Sequence, residues 1–178
     1  MKRNIVIFGG NSILANNFIN KYKSNNNIIT ISRNNKNADF LTCNLGEIIF
    51  PEQVGKIASS IIKKLLYKNT IFILFACYGG PRDNNDRDIY EKNINIISNF
   101  LSISKKVNPN KIIFLSSAGA IYPKNYENYS FKEEDNPYAI TTYGKIKLLA
   151  ERLISLFSDV YKIEYTILRI SSAYGYDK

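Results

Sequence analysis

The chain has 178 residues, of which 45% are hydrophobic and 22% charged, and its formal net charge is +9. This length and composition are typical of one soluble globular domain, so we expect residues 1–178 to form a single domain. The absence of histidine excludes Ser-His-Asp hydrolysis, histidine general bases and His-ligated zinc. The two cysteines, Cys43 and Cys77, fit no metal-ligand spacing, and we predict no metal site.

The positive charge is scattered along the chain and is accompanied by no nucleic-acid motif. We interpret the excess of Lys, Asn and Ile as composition bias and predict no nucleic-acid partner; retention on heparin with steep release by salt would indicate the opposite. No apolar run approaches the roughly 20 residues of a membrane span. The first residues show no signal-peptide pattern, so we expect a cytoplasmic protein with no membrane partner.

Short apolar runs alternate with helically spaced segments along the whole chain. This alternation predicts an α/β fold, with a doubly wound parallel sheet of the Rossmann-like, NAD(P)-binding kind. The predicted strands are 4–8, 27–32, 39–45, 70–77, 111–115 and 164–170, and the predicted helices are 13–22, 51–66, 89–107 and 141–157.

A glycine turn follows the first predicted strand and leads into the first predicted helix. Glycines allow the backbone to approach a pyrophosphate, and a helix N-terminus offers it unbonded N–H groups. The spacing Gly9-x-x-Ser12-x-x-Ala15 keeps the first glycine of a G-x-x-G-x-x-G pattern and has small residues at the other two places. We predict that this turn contacts a dinucleotide through Gly9, Gly10, Asn11, Ser12, Ile13 and Leu14.

The end of the second predicted strand lies where a Rossmann unit reads the adenosine ribose. An NAD-preferring site carries Asp or Glu there, whereas this chain has Ser32 and Arg33. A hydroxyl and a guanidinium favour a 2′-phosphate, so we predict NADP in preference to NAD. The alternative is that Arg33 is a solvated loop charge.

Polar side chains that suit acid/base chemistry occur late in the chain. Ser116 and Ser117 follow a predicted strand at its carboxyl end, where parallel sheets bind ligands. Tyr143 and Lys147 are four residues apart in a predicted helix and therefore share a face. A lysine charge lowers the pKa of a nearby tyrosine from about 10, which lets the phenol exchange protons with a hydroxyl. The alternative is a solvated helix face.

Seven segments, in this order, resemble the motifs of the extended short-chain dehydrogenase/reductase family. The resemblance is to its NAD(P)-dependent nucleotide-sugar epimerase, dehydratase and ketoreductase branch, and it covers almost the whole chain. The segments are GGNSILA at 9–15, CNL at 43–45, FAC at 75–77, Asn93, FLSSAGAIY at 114–122, YGKIK at 143–147 and LRISSAYG at 168–175.

The resemblance implies roles for individual residues. Tyr143 is the general acid/base, and Lys147 lowers its pKa and hydrogen-bonds the nicotinamide ribose. Ser117 holds the reacting sugar hydroxyl or carbonyl, although an extra residue before Ile121 leaves Ser116 as a substitute. The further implied contacts of NADP or NAD are Asn44, Leu45, Phe75, Ala76, Cys77, Asn93 and Ile170.

The implied reaction is hydride transfer between the nicotinamide and a carbon of a nucleotide-linked sugar. Dehydratases of this family carry an acidic residue directly after the catalytic Ser or Thr. This chain has Ala118-Gly119 there, with no proton-transferring group. The sequence therefore favours an epimerase or a 4-keto-sugar reductase over a dehydratase.

Family members continue well past the last of these motifs, with a segment that supplies most sugar-nucleotide contacts. We therefore expect this chain to be the cofactor-binding portion of such an enzyme. A non-catalytic NAD(P)-binding or interaction module remains the alternative. The resemblance also implies a homodimer that pairs the predicted helices 89–107 and 141–157.

Overall fold

Six strands form one sheet in the computed structural model of this protein, which describes residues 2–34, 40–80, 87–122 and 130–171. The strand order is β3-β2-β1-β4-β5-β6, and every neighbouring pair is parallel. The predicted doubly wound α/β fold is thus confirmed. The strands are β1 (Asn4–Phe8), β2 (Asn27–Ser32), β3 (Phe40–Thr42), β4 (Thr70–Leu74), β5 (Lys111–Ser117) and β6 (Glu164–Ile170).

The order of the strands reverses between β1 and β4, the two central strands. Ligands bind in sheets of this kind outside the carboxyl ends of the strands at such a reversal. The fold therefore places its principal cleft beside the turns that follow β1 and β4. The helices are α1 (Ile13–Tyr22), α2 (Pro51–Lys64), α3 (Arg87–Val107), α4 (Ala118–Ile121) and α5 (Thr142–Tyr161).

Helices cover the two faces of the sheet unequally. The larger core lies under α2, α3 and α5, where the ring of Phe8 packs 5.0 Å from that of Phe72 and 4.8 Å from that of Phe100. The smaller core joins Ile7 and its neighbours to Ala15 of α1. All five residues of β1 are buried because both of its faces are covered, as expected of a central parallel strand.

Two strand ends differ from the sequence prediction. Strand β4 ends at Leu74 because the amides of Phe75 and Ala76 both donate to the carbonyl of Phe8, at 2.8 Å each, and so turn out of the ladder. Strand β5 continues to Ser117 because its last residue pairs with Ile170 of β6.

The third strand and the last helix also differ from the predicted bounds. Strand β3 pairs only over Phe40–Thr42; the predicted position 39 lies outside the described residues. Helix α5 begins after Thr141, whose hydroxyl accepts a 3.1 Å hydrogen bond from the Gly144 amide as an N-cap. The helix continues to Tyr161 and ends where Lys162 adopts a left-handed conformation.

Candidate functional site

The turn after β1 requires glycine at position 9. Gly9 has a φ of +94°, and a Cβ there would lie 2.5 Å from the amide nitrogen of Ala76. Any side chain would meet backbone that cannot move aside, in a conformation that L-residues rarely adopt. Gly9 therefore lets the β1 turn lie directly against the turn after β4.

The N-terminus of α1 presents hydrogen-bond donors beside this turn. The Ser12 hydroxyl caps the helix by accepting from the Ala15 amide at 3.2 Å. The amides of Ile13 and Leu14 have no acceptor among the described residues. Two free N–H groups at the positive end of a helix form a favourable site for a phosphate oxygen.

A cleft of about 550 Å³ opens along the carboxyl ends of β1, β2 and β4. Its lining brings together ten of the predicted cofactor contacts, which come from four separate segments of the chain. These ten are Gly9, Asn11, Ser12, Ser32, Arg33, Asn44, Leu45, Phe75, Ala76 and Cys77.

The remaining predicted contacts lie around the cleft or beyond its lining. Gly10 is buried, and its amide donates to the carbonyl of Ile31 at 3.4 Å. The side chains of Ile13 and Leu14 are exposed and lie outside the lining, so these two residues offer their free amides rather than side-chain contacts. Ile170 ends β6, beside Ser117. Asn93, Tyr143 and Lys147 line a smaller adjoining cavity together with Ala76 and Cys77, which are also part of the main lining.

The segment that would read the adenosine ribose offers a cation at the edge of the cleft. Ser32 is buried, and its hydroxyl donates to the carbonyl of Asn34 at 2.7 Å, so it is already used inside the protein. Arg33 is exposed and lines the cleft. The predicted preference for a 2′-phosphate therefore depends on Arg33.

The segment after β3, residues 43–47, forms the wall of the cleft opposite Arg33. Asn44 donates to a carboxylate oxygen of Glu47 at 2.7 Å and accepts from the Gly46 amide at 3.2 Å, which fixes the turn. Burial raises the pKa of the Cys43 thiol to about 11, and the Glu47 carboxylate acts in the same direction. The thiol of Cys43 is therefore protonated at neutral pH and a poor nucleophile.

The side chain of Asn93 holds the turn after β4 by hydrogen bonds to Cys77 and Tyr78. It is buried; its amide nitrogen donates to the carbonyls of Ile89 and Tyr78, and its oxygen accepts from the Tyr78 amide at 3.0 Å and the Cys77 thiol at 3.4 Å. Because the protein itself occupies these polar atoms, Asn93 shapes the cleft by holding this turn in place.

Tyr143 and Lys147 lie on one face of α5, as their spacing indicated. Lys147 is buried, its Nζ donates to the carbonyl of Leu115 at 2.8 Å, and the same atom lies 5.5 Å from the centre of the Tyr143 ring. The lysine is thus held against the end of β5 beside the tyrosine.

The pKa of Tyr143 moves in the direction opposite to that expected from a lysine charge alone. Burial raises the pKa of this phenol, and the nearby Cys77 thiol raises it further. Burial lowers the pKa of Lys147, against the opposing influence of Cys77 and Glu151. Desolvation is therefore the largest effect on both groups, and the phenol carries its proton at neutral pH.

The two candidate serines face different surroundings. Ser116 is buried, and its hydroxyl donates to the Glu151 carboxylate on α5. Ser117 is half-buried at the N-terminus of α4, and its hydroxyl does not cap that helix. Within the described residues, Ser117 therefore has the hydroxyl that is free for a ligand, whereas Ser116 is engaged inside the protein.

Lys92 is a residue of the cleft that the sequence analysis missed. Its Nζ pairs with Asp88 at 2.7 Å and lies 4.1 Å from the centre of the Tyr78 ring. The Asp88–Lys92 spacing predicts an ion pair on a helix, but nothing local shows that this helix face borders the cleft. Only the packing of α3 beside the turn after β4 reveals it.

Neither a metal centre nor a membrane span is found in the part of the chain that the structure describes. No cluster of three Cys, Asp or Glu side chains there is arranged to hold a metal ion. No helix there has the length and apolar character needed to cross a bilayer.

Comparison with known proteins gives a consistent family. The NAD dependent epimerase/dehydratase family matches residues 5–178. A curated protein of Methanocaldococcus jannaschii, provisionally described as a UDP-glucose 4-epimerase, is 28% identical over 96% of this chain. That match covers 56% of the relative, so the chain spans about half the length of the curated relative it matches.

Solved structures of UDP-glucose 4-epimerases share the fold. The Thermotoga maritima enzyme with UDP-glucose superposes with a TM-score of 0.76 at 23% identity, over 93% of this chain and 54% of that one. The Thermus thermophilus enzyme in complex with NAD superposes with a TM-score of 0.79 at 18% identity, over the same two shares.

Proposed function

Because the chain belongs to the NAD-dependent epimerase/dehydratase family, we propose that it binds NAD or NADP in the cleft and forms the cofactor-binding part of a nucleotide-sugar epimerase. One observation carries this proposal. A continuous lining runs from the Gly9 turn and the N-terminus of α1, through Ala76 and Cys77, to Tyr143 and Lys147.

The residues of the chain suit the two ends of a dinucleotide. In this proposal the free amides of Ile13 and Leu14 at the start of α1 bind the pyrophosphate, and Arg33, which lines the cleft, contacts the adenosine ribose. At the other end of the dinucleotide, Cys77, Tyr143 and Lys147 would hold the nicotinamide and its ribose. When bound, the nicotinamide supplies the acceptor and donor of a hydride.

Proton transfer in this proposal belongs to Tyr143. Burial keeps its phenol protonated, so the proton is available to a sugar carbonyl oxygen. The return step requires the phenolate, which the charge of Lys147 on the same helix face stabilises. Ser117 holds the reacting oxygen through its uncommitted hydroxyl, while Ala118 and Gly119 supply no group for an elimination.

The proposed substrate is a nucleotide-linked hexose, and the proposed reaction is epimerisation. Similarity to proteins described as UDP-glucose 4-epimerases supports both. A 4-keto-sugar reductase is the related option if NADP is the cofactor, and the exposed Arg33 is the feature that favours NADP. A non-catalytic NAD(P)-binding module is the second candidate, because the lining of the larger cleft holds most of the predicted cofactor contacts but neither Ser117 nor Tyr143.

We also propose a homodimer and a cytoplasmic location. Exposed apolar side chains at Leu149, Leu156 and Val160 form a stripe along α5, which supports packing against a second helix pair. Light scattering should give twice the monomer mass at high protein concentration. A monomer at every concentration would exclude the dimer.

Titration calorimetry with NAD and with NADP tests the cofactor proposal on the full chain. Conversion of UDP-glucose to its 4-epimer then tests the reaction. The Tyr143→Phe variant should lose about 10²- to 10⁴-fold in rate, as expected for loss of a general acid/base, while its Kd for the cofactor stays within about threefold. If the chain binds neither cofactor, both candidate functions are refuted. If it binds a cofactor without turnover, the non-catalytic NAD(P)-binding module is the function that stands.

A further inference from the structure

A buried carboxylate joins the ends of β5 and β6 to helix α5. Glu151 is 6% exposed and stands four residues after Lys147, so it continues the helix face of Tyr143 and Lys147. Its two oxygens accept from Arg169 of β6, with Nη2 at 2.9 Å and Nε at 3.3 Å from both. A two-pronged pair of this kind fixes orientation as well as distance.

Glu151 and Arg169 also form hydrogen bonds with residues that lie before and after Ser117 in the chain. Glu151 accepts from the hydroxyl of Ser116, the residue directly before Ser117. Arg169 donates to the Tyr122 hydroxyl at 2.6 Å; Tyr122 follows α4, which begins directly after Ser117. We call Glu151, Arg169, Ser116 and Tyr122 the Glu151 network.

The Glu151 network also holds the segment that leads into α5. Arg169 donates to the carbonyl of Glu133 at 3.1 Å. Tyr122 donates to the carbonyl of Lys132 at 3.2 Å, and its ring stacks on Phe131 with the ring centres 4.8 Å apart. Residues 131–133 are therefore tied to Tyr122 and, through Arg169, to β6.

A buried ion pair by itself contributes little net stability to a fold. Removing two charges from water is costly, and apolar residues of similar volume often stabilise a fold equally well or better. Here the links of the pair lead to Ser116 and Tyr122, on either side of Ser117 in the chain, and to Glu133 in the segment before α5. The Glu151 charge also acts on Lys147 itself, whose pKa it raises against the effect of burial.

We propose that Glu151 is a positioning residue, which holds Ser117 and residues 131–133 in register with Tyr143 through Ser116, Arg169 and Tyr122. The proposal builds on the proposed function, because the register matters only if the cleft binds a nicotinamide. Glu151 itself touches neither the cofactor nor the sugar. Its neutralisation changes the surroundings of the nicotinamide end and leaves the pyrophosphate end of the cleft unchanged.

Two variants of Glu151 separate the effect of its charge from the effect of the length of its side chain. Glu151→Gln keeps the shape of the side chain and removes its charge, and Glu151→Asp keeps the charge on a shorter side chain. Tyr122→Phe removes one hydroxyl at the far end of the Glu151 network. Glu91→Gln is the matched control, because Glu91 forms an exposed ion pair with Arg87 on α3.

Two measurements are made on the full chain: fluorescence titration with NADH, and amide hydrogen exchange resolved by mass spectrometry. In Glu151→Gln we expect the Kd for NADH within threefold of the parent, a shifted emission maximum of bound NADH, and at least tenfold faster exchange across residues 130–138. Tyr122→Phe should share the emission shift in part. Glu151→Asp should restore at least half of it, and Glu91→Gln should change nothing.

The outcomes distinguish this inference from the proposed function. If the parent chain does not bind NADH, the proposed function fails, and the exchange of residues 130–138 alone decides whether Glu151 holds this segment. If Glu151→Gln matches Glu91→Gln in exchange, or binds NADH with unchanged emission, the positioning role is overturned. If Glu151→Gln does not fold, unchanged emission in Tyr122→Phe overturns it.

Discussion

The contact between α4 and the start of α5 depends on the absence of a side chain at Gly144. This glycine lies in the first turn of α5, between Thr142 and Lys147, and is buried. A Cβ at this position would lie 2.3 Å from the carbonyl oxygen of Ala120 and 3.0 Å from the Cβ of Ala139. Because the first of these atoms is backbone, Gly144→Ala forces a shift of α4 against α5.

The magnitude follows from two opposing terms. Replacing a helical glycine by alanine stabilises the helix by about 1 kcal/mol. Overpacking a tight contact destabilises by about 1–3 kcal/mol, and the short distance to a backbone atom places Gly144 at the upper end of that range. We expect a net loss of about 1–2 kcal/mol, or a fall in Tm of about 2–8 °C for a chain of this size.

Gly55 provides the matched control. It also lies inside a helix, α2, but a Cβ there would have no atom within 4 Å. Gly55→Ala should therefore gain the roughly 1 kcal/mol of helix stability without the overlap, and its Tm should rise by about 2–4 °C. Thermal unfolding followed by circular dichroism compares the two variants. If Gly144→Ala is as stable as Gly55→Ala, the close contact of Gly144 with Ala120 does not limit the side chain at this position.

Three further predictions concern the cleft. At pH 8, iodoacetamide should modify exposed Cys77 and spare Cys43, whose pKa is raised to about 11, and NAD should protect Cys77; equal labelling of both, found by mass spectrometry, would contradict this. Lys147→Met should raise Tm at pH 7, because burial lowers the pKa of the lysine and its charge destabilises the fold below the pKa of the unfolded state. The gain in Tm should shrink toward pH 10, where the lysine begins to lose its proton in the unfolded state as well. A difference in Tm that stays constant with pH would contradict this prediction. Arg33→Ala should weaken NADP binding at least tenfold in calorimetry and leave NAD unchanged; equal losses for both cofactors would exclude contact with a 2′-phosphate.

Local patterns were sufficient to predict most of the fold. Strand β1 is a run of five residues with an apolar stretch, and a glycine turn and a capped helix follow it, so each element could be recognised without its neighbours. The bounds of β1, α1, β2 and β6 agree with the prediction. The ends of β4 and β5 did not follow, because they depend on hydrogen bonds to Phe8 and pairing with Ile170, which lie far away in the chain.

The pairing of Tyr143 with Lys147 was likewise readable from spacing, but its electrostatics were not. A spacing of four residues places two side chains on one helix face in any helix. The sign of each pKa shift depends on burial and on Cys77, which approaches from another part of the chain. The spacing alone therefore predicted a lowered pKa for Tyr143, whereas desolvation raises it.

By itself, the sequence determined what is local: the elements, the glycine turn, the shared helix face of Tyr143 and Lys147, and the resemblance to the family. Only the tertiary structure decided which polar groups are committed and which are free. It engages Ser32 with Asn34 and Ser116 with Glu151; within the described residues, it leaves Arg33 exposed at the cleft and the Ser117 hydroxyl unengaged at the end of β5. The physical reason is that hydrogen bonding and desolvation depend on atoms brought together from distant parts of the chain, which no spacing along it records.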